Sequence, residues 1–545
     1  MPSAVPRRGR LVLAGVLVGY LALRVAFLSS TLLRLDGDEA VGGIMAQRIL
    51  EGHHLAFYAG QAYNGSGEQY LAAVFLWLLP DTPFTMRLPQ LVLGVLSCTG
   101  VYLLGRRCLG SEWRALLAAA LFAVGPFSAV VWSAKSRGAE ATGMLVGICG
   151  LLLALAIRPD DGRLRSKLFG LGLAAGVGFW ANWQSAYLLI PAAVWVLGTL
   201  RGELVRLAPV VVTGFCLGAA PSIGHVLLTG PLELGGHYLP SSLADRVEGL
   251  WRVALPQFVG TLDERHHPLP GWLPPAGTSL IVLGVLAVAL YRHRRGLFDL
   301  VRLRSARRRP LDLLLLCAVV TPLLYVQSEA AANPYYGYLV PMYAVLPVLL
   351  AALVPGPTTP GRRRVVPAMA VAMVAVLLAQ TIVLARRQFA RGGGGHPVAS
   401  GELVRTETLP AVVDALVASG AHSVFADYWL ANPMAFLAGD RLVVSSIYTR
   451  RFPDVTAAAN CDPSPALVVP VGPPADALRG AIAAAGSSAR ESHVAGLALF
   501  TNIGPGLRPG QAFAMRDALE PAVPGPSCRS GSATPPRNPG GRPLA

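Results

Sequence analysis

Charged side chains are scarce in this sequence. They occupy 14% of its 545 positions, against about 25% in an average soluble domain, and that scarcity excludes a freely soluble, solvated surface over most of the chain. Acidic residues are the rarer kind, 30 against 46 lysines and arginines. A carboxylate beside an apolar run therefore needs a physical reason. Cysteine is sparse too, and its seven copies have no spacing of the kind that binds a metal. No repeat of solenoid period and no clear inverted repeat is visible, which removes two ways of reading a chain this long.

What the sequence has in abundance is apolar length. The hydrophobic fraction is 53%, and runs long enough to span lipid, about 20 residues each, recur down most of the chain. Candidate spans fall near 11–32, 88–105, 114–132, 139–157, 168–183, 185–200, 207–229, 276–291, 311–328, 337–354 and 365–385. The first follows "RRGR" at 7–10, is too long for a signal peptide and lacks a cleavage-type site, so it is expected to remain as a span. The expected fold class is a polytopic α-helical membrane protein of about eleven spans, built on 1–385.

The formal charge of +16 does not point to nucleic acid, because the arginines cluster between apolar runs. "RHRRGLFDLVRLRSARRR" (292–309) and "RRR" (362–364) look like cytoplasmic loops under the positive-inside rule. No nucleic-acid partner is expected. The apolar "YLAAVFLWLLP" (70–80) is too short to cross unaided. If it did cross, every later basic cluster would face outward, so the rule rejects that topology. The N-terminus is then cytoplasmic, and the first loop, about 33–87, lies outside together with everything after about 386. Residues 386–503 alternate helix and strand patterns, which predicts a small extracytoplasmic α/β domain. Residues 504–545 read as a disordered tail. Cys461 and Cys528, the only cysteines of this region, would meet an oxidising compartment, and whether they pair stays open.

The first outer loop places Asp36, Asp38 and Glu39 just beyond the first span. Carboxylates there are costly unless water, a metal or a cation compensates them. Asp38-Glu39 opens an amphipathic pattern carrying Ala40, Ile44, Ile49 and Leu50, expected to lie flat on the membrane with Asp38 at the favourable end of the helix dipole. The turn "YNGSGEQY" (63–70) adds Glu68, with Tyr63 and Asn64 as candidate substrate contacts. Arg87 enters the second span, and Arg137 stands in the next outer loop.

This sequence of features resembles the GT-C superfamily of membrane glycosyltransferases, such as the protein O-mannosyltransferases and the lipid A aminoarabinose transferases. The resemblance rests on Asp38-Glu39, Glu68, Arg87-Leu88, "GRRCLG" (105–110), "WSAKSRGAEA" (132–141) and "DYWLANPMAFLAGDRLVVSS" (427–446), and runs to about residue 450. It departs from many relatives at Gln69-Tyr70-Leu71, where they have Lys-Pro-Pro, and at "NPYYGYLVP" (333–341), where they have Arg-Tyr. Both departures leave the donor open.

The resemblance implies an inverting transfer of a sugar from a polyprenyl-phosphate donor to a glycan, lipid or protein acceptor outside the cytoplasm. Asp38 and Glu39 are then the expected catalytic pair, with Asp38 as base. Glu68, Arg87, Arg137, Tyr335 and Tyr336 are expected to hold substrate, the arginines compensating the leaving phosphate. Snorkelling for the arginines and an aromatic belt for the tyrosines explain the same residues without function. A divalent metal cation held by Glu39 and Glu68 with His53, His54 or His237 is the one cofactor weighed, without a ligand spacing to support it. The alternatives are a transporter or lipid flippase, and a non-catalytic protein that binds cell-wall polymer.

Overall fold

The computed structural model describes residues 7–504 apart from 233–240, 264–265, 270–273, 305–306, 356–361, 396, 399–400, 402 and 450. Helix α1 (Arg7–Leu28) leads to a 3-10 turn, Thr31–Leu33, and then to α2 (Gly37–Leu50). A short hairpin follows, β1 (Phe57–Tyr58) and β2 (Gln61–Gly65), and then α3 (Gly67–Leu78). Helices α4 (Leu88–Leu109), α5 (Glu112–Val124), α6 (Phe127–Trp132) and α7 (Glu140–Ala156) come next. The bundle continues through further helices, ending with Arg362–Ala390.

Six of the described helices are long and apolar enough to cross a membrane, or eight if each of two bent pairs counts as one span. The eleven expected segments each fall on a helix or a helix pair, but α5 and α7, at 13 and 17 residues, are short for a bilayer core. Helix α3 has 12 residues, about 18 Å at 1.5 Å per residue, and stops short of a crossing. Close approach inside the bundle depends on small residues. The helices Leu164–Ala181 and Glu203–Gly218 meet so tightly that a Cβ on Gly172 would strike the Val211 carbonyl, and one on Gly214 the Phe169 carbonyl.

Beyond the bundle the chain forms a five-stranded sheet, from β3 (Ser423–Ala426), β4 (Val443–Ser446), β5 (Ala466–Pro470), β6 (Arg490–Val494) and β7 (Leu497–Thr501). The strand order is β4-β3-β5-β7-β6, with β4, β3 and β5 parallel and β7 and β6 antiparallel to their neighbours. Alternation sorts the side chains between two cores. Val424, Val444, Val468 and Leu499 pack under the helix Leu409–Ala418, whereas Phe425, Leu467, Val469 and Phe500 pack under the helix Pro473–Ala484.

Three elements here differ from the sequence expectation. Strand β6 reads "RESHV", with its side chains mostly exposed at the sheet edge, so it lacks an apolar face to announce it. The helices Tyr428–Ala438 and Pro453–Asn460 are the other two. The former carries Pro433 in its interior, a residue that argues against helix from sequence alone. Cys528 and the expected tail lie outside the described residues.

Helix α2 also departs from expectation. Its expected apolar face is divided: Ala40, Val41, Gly42, Gly43, Met45 and Ala46 are buried in protein, Ile44 and Ile49 are partly buried and Leu50 is exposed. The helix Tyr428–Ala438 covers it on one side and α3 on another. Glycines admit that contact: a Cβ on Gly43 would lie 2.6 Å from the Phe436 ring, and one on Gly37 2.9 Å from the Tyr428 ring. The α/β domain is thus seated directly on the segment between α1 and α4.

Candidate active site

Asp36 caps α2 from an extended backbone, its carboxylate accepting from the Glu39 amide at 2.9 Å. The same carboxylate receives Lys135 Nζ at 2.6 Å and Arg137 Nη2 at 2.7 Å. Burial opposes ionisation of Asp36, but Arg137 and Lys135 overcome it and hold the carboxyl well below its ordinary range. Glu39, one turn on, is fully buried and forked by the Arg87 guanidinium through Nε and Nη2. Its Oε1 also accepts from the Ser136 amide at 3.2 Å. Arg87 spends its remaining edge on the Leu33 carbonyl at 3.0 Å.

These contacts split the expected catalytic pair. Glu39 and Arg87 are a buried ion pair that ties α2 to the head of α4. A phosphate cannot reach an arginine that is 2% exposed with each of its nitrogens bonded. Asp38 differs. Its side chain is 38% exposed; Oδ1 accepts from the Tyr428 hydroxyl at 2.7 Å, and Oδ2 has no partner among the described residues. Arg451 Nη2 stands 3.9 Å from Oδ1, and the Tyr58 hydroxyl donates to the Asp38 backbone carbonyl.

Glu68 lies at the start of α3, 1% exposed. Its Oε1 accepts from the Thr142 amide at 2.9 Å and hydroxyl at 3.0 Å, and the Gln90 amide donates to Oε2. Burial raises its pKa to about 7 against the pull of those donors. Asn64 is locked by Asn182 at 2.7 Å and by Gln61 at 2.8 Å, and Tyr63 is half-buried beside it in β2. Arg137 reaches the Tyr335 hydroxyl at 3.0 Å and stands 5.6 Å from the centre of the Trp132 ring. Tyr336 is fully buried against Trp132, so it offers no face to a sugar, whereas Tyr335 is partly exposed.

The structure therefore brings Asp38, Glu39, Arg87, Arg137 and Tyr335 into one region with residues the sequence did not single out. In the sequence Asp36 stands beside Asp38 and Glu39 as a carboxylate needing compensation, and its place three residues before Glu39 at the head of an apolar helix is a capping pattern. Lys135 lies two residues from Arg137. Tyr428 lies in the stretch 427–446 that carries the resemblance, though without a role read from it, and Arg451 gave no local signal. The weighed metal set does not fit: Glu39 is consumed by Arg87 and Glu68 by Thr142 and Gln90, while His53 and His54 are exposed. His237 lies outside the described residues, and among the described ones no three metal-ligating side chains gather.

Around the Asp36 cap, two carboxylates (Asp36 and Glu39) face three cations (Arg87, Lys135 and Arg137). The excess positive charge sits on the loop from Lys135 to Arg137. A half-open carboxylate beside an electropositive loop, on elements flanking the ends of apolar helices, is equipped to take a proton from a hydroxyl while an anion departs.

Residues 67–223 match the dolichyl-phosphate-mannose-protein mannosyltransferase family. Among solved structures, the chain resembles ArnT from Cupriavidus metallidurans bound to undecaprenyl phosphate. The identity is 14%, the TM-score 0.58, and the alignment covers 90% of this chain and 97% of that one. An Archaeoglobus fulgidus oligosaccharyltransferase aligns at 13% identity with a TM-score of 0.47, over 87% of this chain and 71% of the other. The S. cerevisiae Pmt1-Pmt2 complex bound to its sugar donor aligns at 19% identity and 0.33, over 41% and 34%. No curated protein sequence matches the chain. With its apolar helical bundle, its family match and the ArnT-like arrangement of almost its whole length, the chain is a multi-pass membrane protein of the GT-C glycosyltransferase fold.

Proposed function

We propose that the protein is an inverting glycosyltransferase that moves a hexosyl or pentosyl group from a polyprenyl-phosphate donor to a hydroxyl acceptor on the outer face of the cell membrane. The observation that carries this reading is Asp38 Oδ2, an accessible carboxylate oxygen without a protein partner among the described residues, next to a loop with excess positive charge. The acceptor hydroxyl attacks the anomeric carbon from the face opposite the phosphate. Its oxygen forms the new glycosidic bond and its proton passes to Asp38 Oδ2. The anomeric carbon–phosphate oxygen bond breaks, its electron pair leaving with the lipid phosphate. Arg137, whose side chain is 18% exposed, compensates the charge that develops there, and the buried Lys135 adds its charge without touching the phosphate.

In this reading Glu39 and Arg87 position rather than react, and Asp36 aims the two cations. The undecaprenyl phosphate bound in the ArnT structure of the same fold supports a lipid carrier. The charge asymmetry of the loops supports an outer active site, a cytoplasmic N-terminus and an extracytoplasmic α/β domain over about 386–503. The transport reading would need ionisable groups along a pathway. Arg24 of α1 is ionisable and deep in the bundle, but it is enclosed, bonded to Ser133 and the Ala123 carbonyl and set over the Tyr20 ring. The test is incubation of purified protein with a panel of polyprenyl-phosphate sugars. Asp38→Asn should cut transfer or sugar release by about two to four powers of ten, as for a lost base, with unchanged thermal stability. Activity within about threefold of wild type removes Asp38 from the reaction.

A further inference from the structure

Two side chains from the α/β domain end on the carboxylate oxygen that the proposed reaction does not use. The Tyr428 hydroxyl donates to Asp38 Oδ1 at 2.7 Å, and Arg451 Nη2 faces the same atom across 3.9 Å. Both are held in place. Arg451 donates through Nε to the Tyr428 hydroxyl at 3.3 Å and through Nη1 to the Gly60 carbonyl at 3.2 Å, in the turn between β1 and β2. The Tyr428 ring is set against Trp429, 5.0 Å between centroids and nearly perpendicular, and lies over Gly37.

We infer that Tyr428 and Arg451 are positioning residues that hold Asp38 by Oδ1 and turn Oδ2 toward the acceptor, so that the α/β domain is part of the catalytic centre. This rests on Asp38 being the base, as proposed above. It also accounts for the placement of the domain. Its helix Tyr428–Ala438 packs against α2 through Gly37 and Gly43, and the closest contacts at one end of that seam deliver a hydroxyl donor and a cation to one oxygen. The titratable and charged groups around Asp38 are Arg451 and Tyr428 from the domain, Tyr58 from β1, Asp36 before α2, Glu140 at the head of α7, and Lys135 and Arg137, which are both bonded to Asp36. Among these Arg451 is the cation that faces the Asp38 carboxylate itself. Burial, reinforced by the Asp38 charge, pushes the Tyr428 phenol up, so it stays a donor at every working pH.

The experiment uses full-length protein in detergent, with Arg451→Gln, Arg451→Lys and Tyr428→Phe. Arg441→Gln, which removes an exposed cation of the same domain paired with Asp414, is the control. Two readouts run across pH: carbodiimide labelling of protonated Asp38, followed by peptide mass spectrometry, and kcat with a polyprenyl-phosphate sugar. An opposite charge within about 4–6 Å shifts a carboxyl by one to three pH units. Arg451→Gln should therefore raise the pH of half-labelling and the acid limb of kcat by about one unit, Arg451→Lys should restore most of it, and Arg441→Gln should move neither. Tyr428→Phe should move both by less and lower kcat more than it changes KM. Labelling and kcat profiles within about 0.2 units of wild type in Arg451→Gln and Tyr428→Phe overturn the inference. Shifted labelling without turnover of any donor supports the placement and overturns the transferase reading instead.

Discussion

Replacing Glu68 by glutamine should make the protein's stability less sensitive to pH. The carboxyl is buried among Thr142, Gln90 and the body of α3, and burial lifts its pKa from 4.5 to about 7. The folded protein thus holds this proton more tightly than the unfolded chain does. The stabilisation is complete below the unfolded value of 4.5 and is lost as pH rises through about 7. The distance between those values corresponds to about 3 kcal/mol. Glutamine has nearly the same shape. Its carbonyl can keep both Thr142 donors, and its amide can serve Gln90 once that side chain turns its own carbonyl inward. The neutral amide also removes a charge that Glu140 feels. Thermal unfolding in detergent between about pH 5 and 8 should show the wild-type midpoint falling by a few degrees. Glu140, lifted by burial to about 8, shares in that fall, so Glu68→Gln should remove part of it and Glu68→Gln with Glu140→Gln most of it. A variant whose midpoint follows pH as the wild type does would refute the assignment of the buried proton to Glu68.

Arg87→Met should be strongly destabilising, by about 3–5 kcal/mol, because it strips the enclosed Glu39 of both guanidinium bonds; Glu39→Met with Arg87→Met should recover thermal stability without recovering transfer. Gly43→Ala should loosen the seat of the α/β domain, since the added carbon would lie 2.6 Å from Phe436. Limited proteolysis between 391 and 409 should then quicken, whereas Gly15→Ala, which meets no neighbour within 4 Å, should leave it unchanged. An alkaline-phosphatase fusion after residue 390 should be active and a fluorescent-protein fusion dark; the reverse result would place the α/β domain in the cytoplasm.

Much of the site was visible in the sequence because acid is so rare in it. Asp36, Asp38, Glu39 and Glu68, close to one another at a membrane boundary, demand compensation, and Arg87 and Arg137 were the cations in reach of span ends. The helical bundle was readable from apolar length alone, and β3, β4, β5 and β7 from apolar runs between turns. Strand β6 and the helix Tyr428–Ala438 were not, since an exposed charged edge and an internal proline both hide the pattern that their elements ordinarily carry.

The division of labour between Asp38 and Glu39 shows where such reading stops. The two are adjacent on one helical turn, so their side chains leave the axis about 100° apart. One must enter the packed side of α2 when the other does not. Which one does so depends on the elements that cover the helix, and these come from α3, the head of α4 and a helix nearly four hundred residues later. Arg87 reaches Glu39 because α4 begins beneath α2, and Tyr428 reaches Asp38 because Gly37 leaves room for its ring. An acidic pair can be found from local chemistry, but the choice of base within it is made by long-range packing. A substitution at Gly37 or Gly43, which carry no reactive group, should accordingly alter catalysis through the carboxylate they leave exposed.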